Sequence, residues 1–355
     1  GSVVDRNIDL TERAREVLHA CFQQVPFASL EELSGQEIFP EVAPDLVFVL
    51  KTGETEKVLV VEVQGNGQPK PVRAAVNRLL RILKNAPEAY GIIVAPYLSS
   101  LSIALCEEAG LGTVDFAGNI LISAEPVYFR VGGRSNPFYQ DRSLRSLYSP
   151  KASRILRTLL SDSLERAWKV EEIRDEAKVS IGLVSNVRKL LDEREWIVDR
   201  EIGFSLKDPE ALLREWVQNY SYRKNRVREY YTLKSLPEIE AAISEIGNRF
   251  TRAALTGFSA AARMAPAVRY QRAAAYMQSD AEHVAEMLDL KEVNSGANVM
   301  LLEPYDEGVF YGGGEIDGAV CVSPVQAYLD LKGYRGRGEE AADMLYEQVM
   351  RKIWL

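Results

Sequence analysis

Histidine and cysteine are scarce in this chain of 355 residues: two of the first, His19 and His283, and three of the second, Cys21, Cys106 and Cys321. Two histidines leave no Cys/His ligand set for zinc and little ground for a histidine-based catalytic triad. The cysteines lie far apart among apolar neighbours, so they read as buried free thiols rather than as a disulfide or metal site. No apolar run nears the ~20 residues of a membrane helix. The longest runs, such as Val58 to Val63, have the length of a strand. Gly1-Ser2 reads as a cloning remnant with no signal peptide after it, so a cytoplasmic protein is expected, without a membrane partner. Hydrolytic chemistry, if any, falls to carboxylates and a hard metal ion.

What is present is ordinary globular composition, 46% hydrophobic and 26% charged, at a length suited to two or three domains. The net charge of -8 argues against nucleic acid only superficially, because DNA responds to a local patch. Residues 150–234 hold 18 Lys and Arg against 15 Asp and Glu, so the acidity sits in the flanks. Two joints divide the chain. One is Val131-Gly-Gly-Arg-Ser-Asn-Pro137; the other is Ser235-Leu-Pro237, after what reads as a basic, tyrosine-rich helix. The expected parts are residues 1–135, 149–234 and 235–355, an α/β multi-domain chain.

The first part alternates helix and strand. Leu10 to Gln24 has helical spacing, with Leu10, Ala14, Val17, Leu18 and Cys21 on one face. Asp45 to Leu50 and Val58 to Val63 read as strands joined by a turn at Thr52-Gly53-Glu54. A helix over Val72 to Asn85, a strand over Tyr90 to Ala95 and a helix over Ser99 to Ala109 capped by Gly110 follow. Short strands flank Ala117-Gly-Asn119.

The middle part holds the most specific local pattern. Ser153 to Leu160 and Val170 to Ala177 read as helices, and Lys178-Val179-Ser180 as a tight turn. Ser180 caps a third helix, Ile181 to Glu193. Val179, Leu183, Val187, Leu190 and Leu191 face the core. The opposite face carries Gly182, Ser185, Asn186, Arg188 and Lys189, small, amide and cationic groups suited to base edges and phosphates in the major groove. Arg200 and Gly203 lie in the turn between Trp196-Ile-Val and Phe204-Ser-Leu, the place of a wing. Residues 150–208 resemble the winged-helix regulators, which implies that Ser180, Ser185, Asn186, Arg188, Lys189 and Arg200 contact double-stranded DNA. The tyrosines and arginines from Tyr220 to Tyr231 read either as a phosphate-tracking helix or as one packed on a neighbouring domain.

Carboxylates mark the first part. Pro44-Asp45 opens one strand, and Glu62-Val63-Gln64 lies on the next, so Asp45 comes close to Glu62 in the hairpin. Two adjacent carboxylates are a minimal holder for Mg²⁺, which can activate water and offset charge on a phosphodiester. From about Leu30 to Ile122 this resembles the PD-(D/E)XK, or restriction-endonuclease-like, superfamily. That resemblance implies metal on Asp45 and Glu62. It also implies a lysine two residues after the second acid, where this chain has Gln64. Lys70 is expected to compensate, and Glu31 or Glu32, read on an earlier helix, to add an acid. A fold that keeps this architecture and has lost the chemistry is the other reading.

In the last part, Thr256-Gly-Phe-Ser-Ala-Ala-Ala262 reads as a strand-to-helix turn of small residues, and Gly312-Gly-Gly314 as a turn with no phosphate-loop lysine after it. Leu212-Leu-Arg-Glu-Trp216, Leu255-Thr-Gly-Phe-Ser-Ala260 and Val322-Ser-Pro-Val-Gln-Ala-Tyr-Leu-Asp-Leu331 with Arg335-Gly-Arg-Gly338 together resemble the AbiEi-type antitoxins of type IV toxin–antitoxin systems, over about Ser149 to Trp354. The resemblance implies a winged-helix repressor with a C-terminal part that counters a nucleotidyltransferase-like toxin. Three readings stay open: an antitoxin-type DNA-binding regulator, possible as a homo-oligomer; a Mg²⁺-dependent nuclease guided by its winged helix; and a partner-binding interaction protein.

Overall fold

The computed structural model describes residues 3–136, 147–266 and 268–355. Gly1-Ser2 and Pro137 of the first joint lie outside the described residues. The chain divides into two compact units, Gly1–Arg142 with Asp192–Glu195, and Ser143–Leu191 with Trp196–Leu355. Both are mixed α/β.

The first unit is a seven-stranded sheet in sequential order, covered on both faces by helices. Helix α1 (Val3–Gln23) precedes β1 (Ala28–Leu33), the short α2 (Gly35–Ile38), β2 (Leu46–Thr52) and β3 (Thr55–Val63). These three strands form an antiparallel meander. Gly53 takes the left-handed turn position (φ 63°) between β2 and β3, where a side chain would be strained. Helix α3 (Pro69–Leu83) opens on prolines and leads to β4 (Tyr90–Ala95), parallel to β3. Helix α4 (Ser100–Glu108) is capped by Ser99 and leads to β5 (Gly112–Asp115), parallel to β4; β6 (Ile120–Ala124) and β7 (Val127–Val131) complete the sheet. Alternation splits the core. Leu59 and Val61 pack toward Ala14, Leu18 and Phe22 of α1, while Val60 and Ile93 pack against Val72, Val76 and Leu79 of α3. Glu31 and Glu32, expected on a helix, lie on β1, where Lys51 and Arg15 pair with them.

In the second unit, α5 (Pro150–Leu160), α6 (Val170–Ala177) and α7 (Ile181–Glu193) precede a two-stranded antiparallel ribbon, β8 (Ile197–Asp199) with β9 (Phe204–Leu206). Helix α8 (Pro209–Gln218) follows, capped by Asp208. The stretch read as a basic helix is instead a single 3-10 turn, Tyr222–Lys224, and a strand, β10 (Arg226–Tyr231). Pairing overrides local composition there, because β10 bonds two strands from later in the chain. The remaining elements are α9 (Leu236–Phe250), β11 (Ala253–Leu255), α10 (Gly257–Met264), β12 (Ala273–Met277), α11 (Ala281–Met287), β13 (Lys291–Glu292), β14 (Val299–Glu303), β15 (Gly314–Ile316), β16 (Ala319–Cys321), α12 (Pro324–Lys332) and α13 (Gly338–Leu345). The second seven-stranded sheet runs β13-β10-β14-β12-β11-β16-β15. One core cluster runs without a break from Leu156 and Val187 of the helices to Tyr276 and Leu329 around this sheet. Among the described residues, no helix is long and apolar enough to cross a membrane.

Candidate functional site

Two constellations carry chemistry. The first is the acidic pair of the first unit. Leu46 and Val61 are register partners, so Asp45 and Glu62 follow them side by side across the strands, on the face covered by α3. One Oδ of Asp45 accepts from the Val63 N–H at 2.8 Å. Glu62 is 1% exposed, and among the described residues its Oε1 has no hydrogen-bond partner.

The cation at this pair is Arg78. Its guanidinium donates to Glu62 Oε2 and lies 3.7 Å from Asp45. Burial pushes the Glu62 carboxyl up to about 7; the Arg78 hydrogen bond opposes that rise and the neighbouring Asp45 adds to it. The close contact with Arg78 speaks for the ionised form and burial for the neutral one, and burial prevails. Lys70 lies in the exposed first turn of α3, and Gln64 is half-buried just after β3, its N–H bonded to the Val94 carbonyl at 2.7 Å. Lys70 and Arg78 share α3, and the packing of that helix on the sheet brings Arg78 to the pair.

A divalent ion does not fit this arrangement while Arg78 holds it. A fixed positive charge already lies between the carboxylates, and one Asp45 oxygen is committed to backbone. Among the described residues, no group of three His, Cys, Asp or Glu is placed to hold a metal ion.

The second constellation is the outer face of α7. Lys178 turns the chain in the left-handed conformation (φ 54°), and Ser180 Oγ accepts from the Leu183 N–H at 3.2 Å, capping the helix. Val184, Val187, Leu190 and Leu191 are buried, so Gly182, Ser185, Asn186 and Lys189 face outward. Leu183, expected in the core, is half-buried, and Val184 takes that place.

Arg188 lies between these faces. It donates to Asp199 at 2.9 Å, and its guanidinium sits 4.7 Å from the Phe204 ring, so it ties α7 to the ribbon. The ribbon closes through Arg200 N–H to the Gly203 carbonyl at 3.0 Å, and Arg200 Nε donates to Ser205. Gly203 is required: its φ is 82°, and a Cβ there would lie 2.1 Å from the Trp168 carbonyl oxygen. Ile202, which the sequence reading passed over, stands 60% exposed at the ribbon tip.

Two polar links join the helices to the second sheet. Arg154 on α5 makes a two-point ion pair with Asp306, at 2.9 and 2.7 Å. Arg157 donates to Gln326, whose amide donates to the fully buried Asp330; Thr256 and Tyr276 also donate to that carboxylate, at 2.6 and 2.8 Å. The helical face is thus held in a fixed setting on the larger domain.

No curated protein and no solved structure matches the chain. A family model does match residues 205–351, from the second ribbon strand through the whole second sheet and past α13. The segment Leu212 to Gly338 that suggested the resemblance falls inside that match, and the three helices precede it. Residues 205–351 are therefore similar to the AbiEi antitoxin domain, of a family described as transcriptional regulators of type IV toxin–antitoxin systems.

Proposed function

We propose that this protein is a DNA-binding transcriptional regulator of antitoxin type, and that residues 150–206 act as a winged helix-turn-helix. The observation that carries this reading is the outer face of α7, where Ser185, Asn186 and Lys189 are exposed between a capped start and a two-stranded ribbon. An Asn amide can bond adenine through two contacts, and a lysine can neutralise a phosphate. Arg200 and Ile202 on the ribbon suit the adjoining backbone and groove. Arg188 acts chiefly by setting the ribbon against the helix. The antitoxin domain supports a second partner, a nucleotidyltransferase-like toxin protein, and a homo-oligomer would supply two half-sites.

Fluorescence anisotropy with a duplex selected from a random pool tests this reading. Asn186→Ala should cost ~1–3 kcal/mol on the selected duplex and little on a scrambled one. Lys189→Ala should weaken both and lower the salt slope by about 1. Unchanged affinity in Asn186→Ala, Arg188→Ala and Lys189→Ala proteins would end the assignment.

The first unit supports a restriction-endonuclease-like reading through its order of helix, antiparallel meander, helix and parallel strand. With Arg78 between Asp45 and Glu62, we assign it a fold that keeps the acidic pair without a Mg²⁺-dependent reaction.

A further inference from the structure

The second unit has a cleft of about 660 Å³ walled by Tyr222, Phe258 and Tyr334 and bordered by Arg223, Arg272 and Arg335. Its size is that of a small-molecule site, for which roughly 300–1,000 Å³ is usual. The aromatic walls are set by packing. Tyr334 meets Tyr222 edge-on at 5.1 Å and Phe258 at 5.6 Å. Two glycines make room for them: a Cβ at Gly257 (φ 56°) would lie 2.4 Å from the Tyr334 ring, and one at Gly333 would lie 2.9 Å from the Tyr222 ring.

The arginines differ from most on this surface. Arg166, Arg249, Arg337 and Arg351 each spend their charge on a neighbouring carboxylate. Arg223, Arg272 and Arg335 are exposed, and among the described residues none of them has an ion-pair partner. Glu229 is the one acid in the lining, and its carboxylate likewise has no ion pair among the described residues.

We propose that this cleft binds a nucleoside polyphosphate, its base against the aromatic walls and its phosphates on the three arginines. Rings offer a face for stacking, and guanidinium groups match phosphate oxygens with two parallel hydrogen bonds. Glu229 can accept from the amino group of adenine, guanine or cytosine. A bare anion would leave the three rings without use, and an apolar ligand would leave the three cations without use. The assignment is independent of how α7 meets DNA.

Calorimetric titration of the full chain with ATP and with inorganic triphosphate tests the proposal. ATP should bind saturably at one site, and triphosphate at least about tenfold more weakly. Arg272→Ala and Arg335→Ala change exposed residues, so the fold should survive, and each should weaken ATP binding by about tenfold. Phe258→Leu keeps an apolar group and should narrow the margin of ATP over triphosphate. Lack of saturable ATP binding would overturn the proposal, as would triphosphate binding as tightly as ATP. ATP binding indifferent to both arginine substitutions would overturn it too, by moving the site elsewhere. So would capture of a single-stranded oligonucleotide, sensitive to those arginines, by a protein that does not bind ATP.

Discussion

Arg157 donates from both Nε and Nη2 to the same Gln326 oxygen, at 3.0 and 2.9 Å, across 169 residues of chain. The guanidinium is 2% exposed and also lies 5.3 Å from the Trp216 ring. A buried cation with amide and phenol partners, linked through Gln326 to a buried carboxylate, makes the three helices and the second sheet one cooperative body. Arg157→Ala should destabilise this unit by about 2–4 kcal/mol, since it strands the polar groups of Gln326 and Tyr305. Urea denaturation followed by tryptophan fluorescence measures it. A loss below about 0.5 kcal/mol would show that the link is incidental, because surface changes fall in that range.

Glu62 should give the first unit an acid-favoured stability. Its folded pKa, about 7, is raised above the ordinary 4.5, so the native state holds a proton that the unfolded state releases between these values. The contribution is fully present below about pH 4.5 and is lost as pH rises through about 7. The rise is worth roughly 3 kcal/mol at about 1.4 kcal/mol per tenfold change in proton affinity. Denaturation of wild type and Glu62→Gln between pH 5 and 8 should show a slope that the variant lacks. Parallel profiles for the two proteins would refute it.

Arg78 should keep the acidic pair from binding a divalent ion. Wild-type protein should show no Mg²⁺-dependent cleavage of duplex DNA above background. The missing lysine at Gln64 removes a further charge worth ~3–4 kcal/mol in such sites. In Arg78→Ala, the freed carboxylates should take up Mn²⁺, read as metal-dependent thermal stabilisation that Asp45→Asn abolishes. Robust cutting by the unaltered protein, lost in Asp45→Ala and Glu62→Ala, would reverse the assignment of this unit.

The three cysteines should be inert. Burial pushes Cys21 and Cys321 up to about 11 and Cys106 to about 12, so the thiolate is a minute fraction at neutral pH. A thiol reagent at pH 8 should leave all three unmodified in the folded chain and react with three on unfolding. Rapid labelling of the folded protein would contradict the burial of these side chains.

Much of this architecture was legible where the signals are local. Val170–Ala177, Ile181–Glu193, Tyr90–Ala95 and Phe204–Leu206 match the expected elements to the residue, because caps, periodicity and turn residues all lie within each segment. Ala28–Leu33 was read as helix around Glu31 and Glu32. It is an edge strand bearing Glu31 and Glu32, held by backbone bonds to β2 and with little apolar alternation. Arg226–Tyr231 was read as helix because its partners lie far along the chain. The acidic pair was legible from a single hairpin, whereas Arg78 reaches it only through packing of a helix on a sheet. The arginine-bordered cleft draws on five separate segments, around residues 222–229, 258, 272–274, 300 and 333–336, so no window of sequence contains it.

The position of β10 also sets an order of events on the ribosome. Arg226–Tyr231 bonds Val299–Glu303 on one side and Lys291–Glu292 on the other, so it cannot be zipped into its sheet until both have emerged. The three helices leave the exit tunnel earlier and depend on short-range contacts, which form quickly. Arg154 and Arg157 wait for Asp306 and Gln326 to be made before they tie the helices to the sheet. A chain stalled before residue 299 would leave β10 as an open strand edge, a template for pairing with other chains. The emergence of β13 and β14 is what closes that edge into the second sheet.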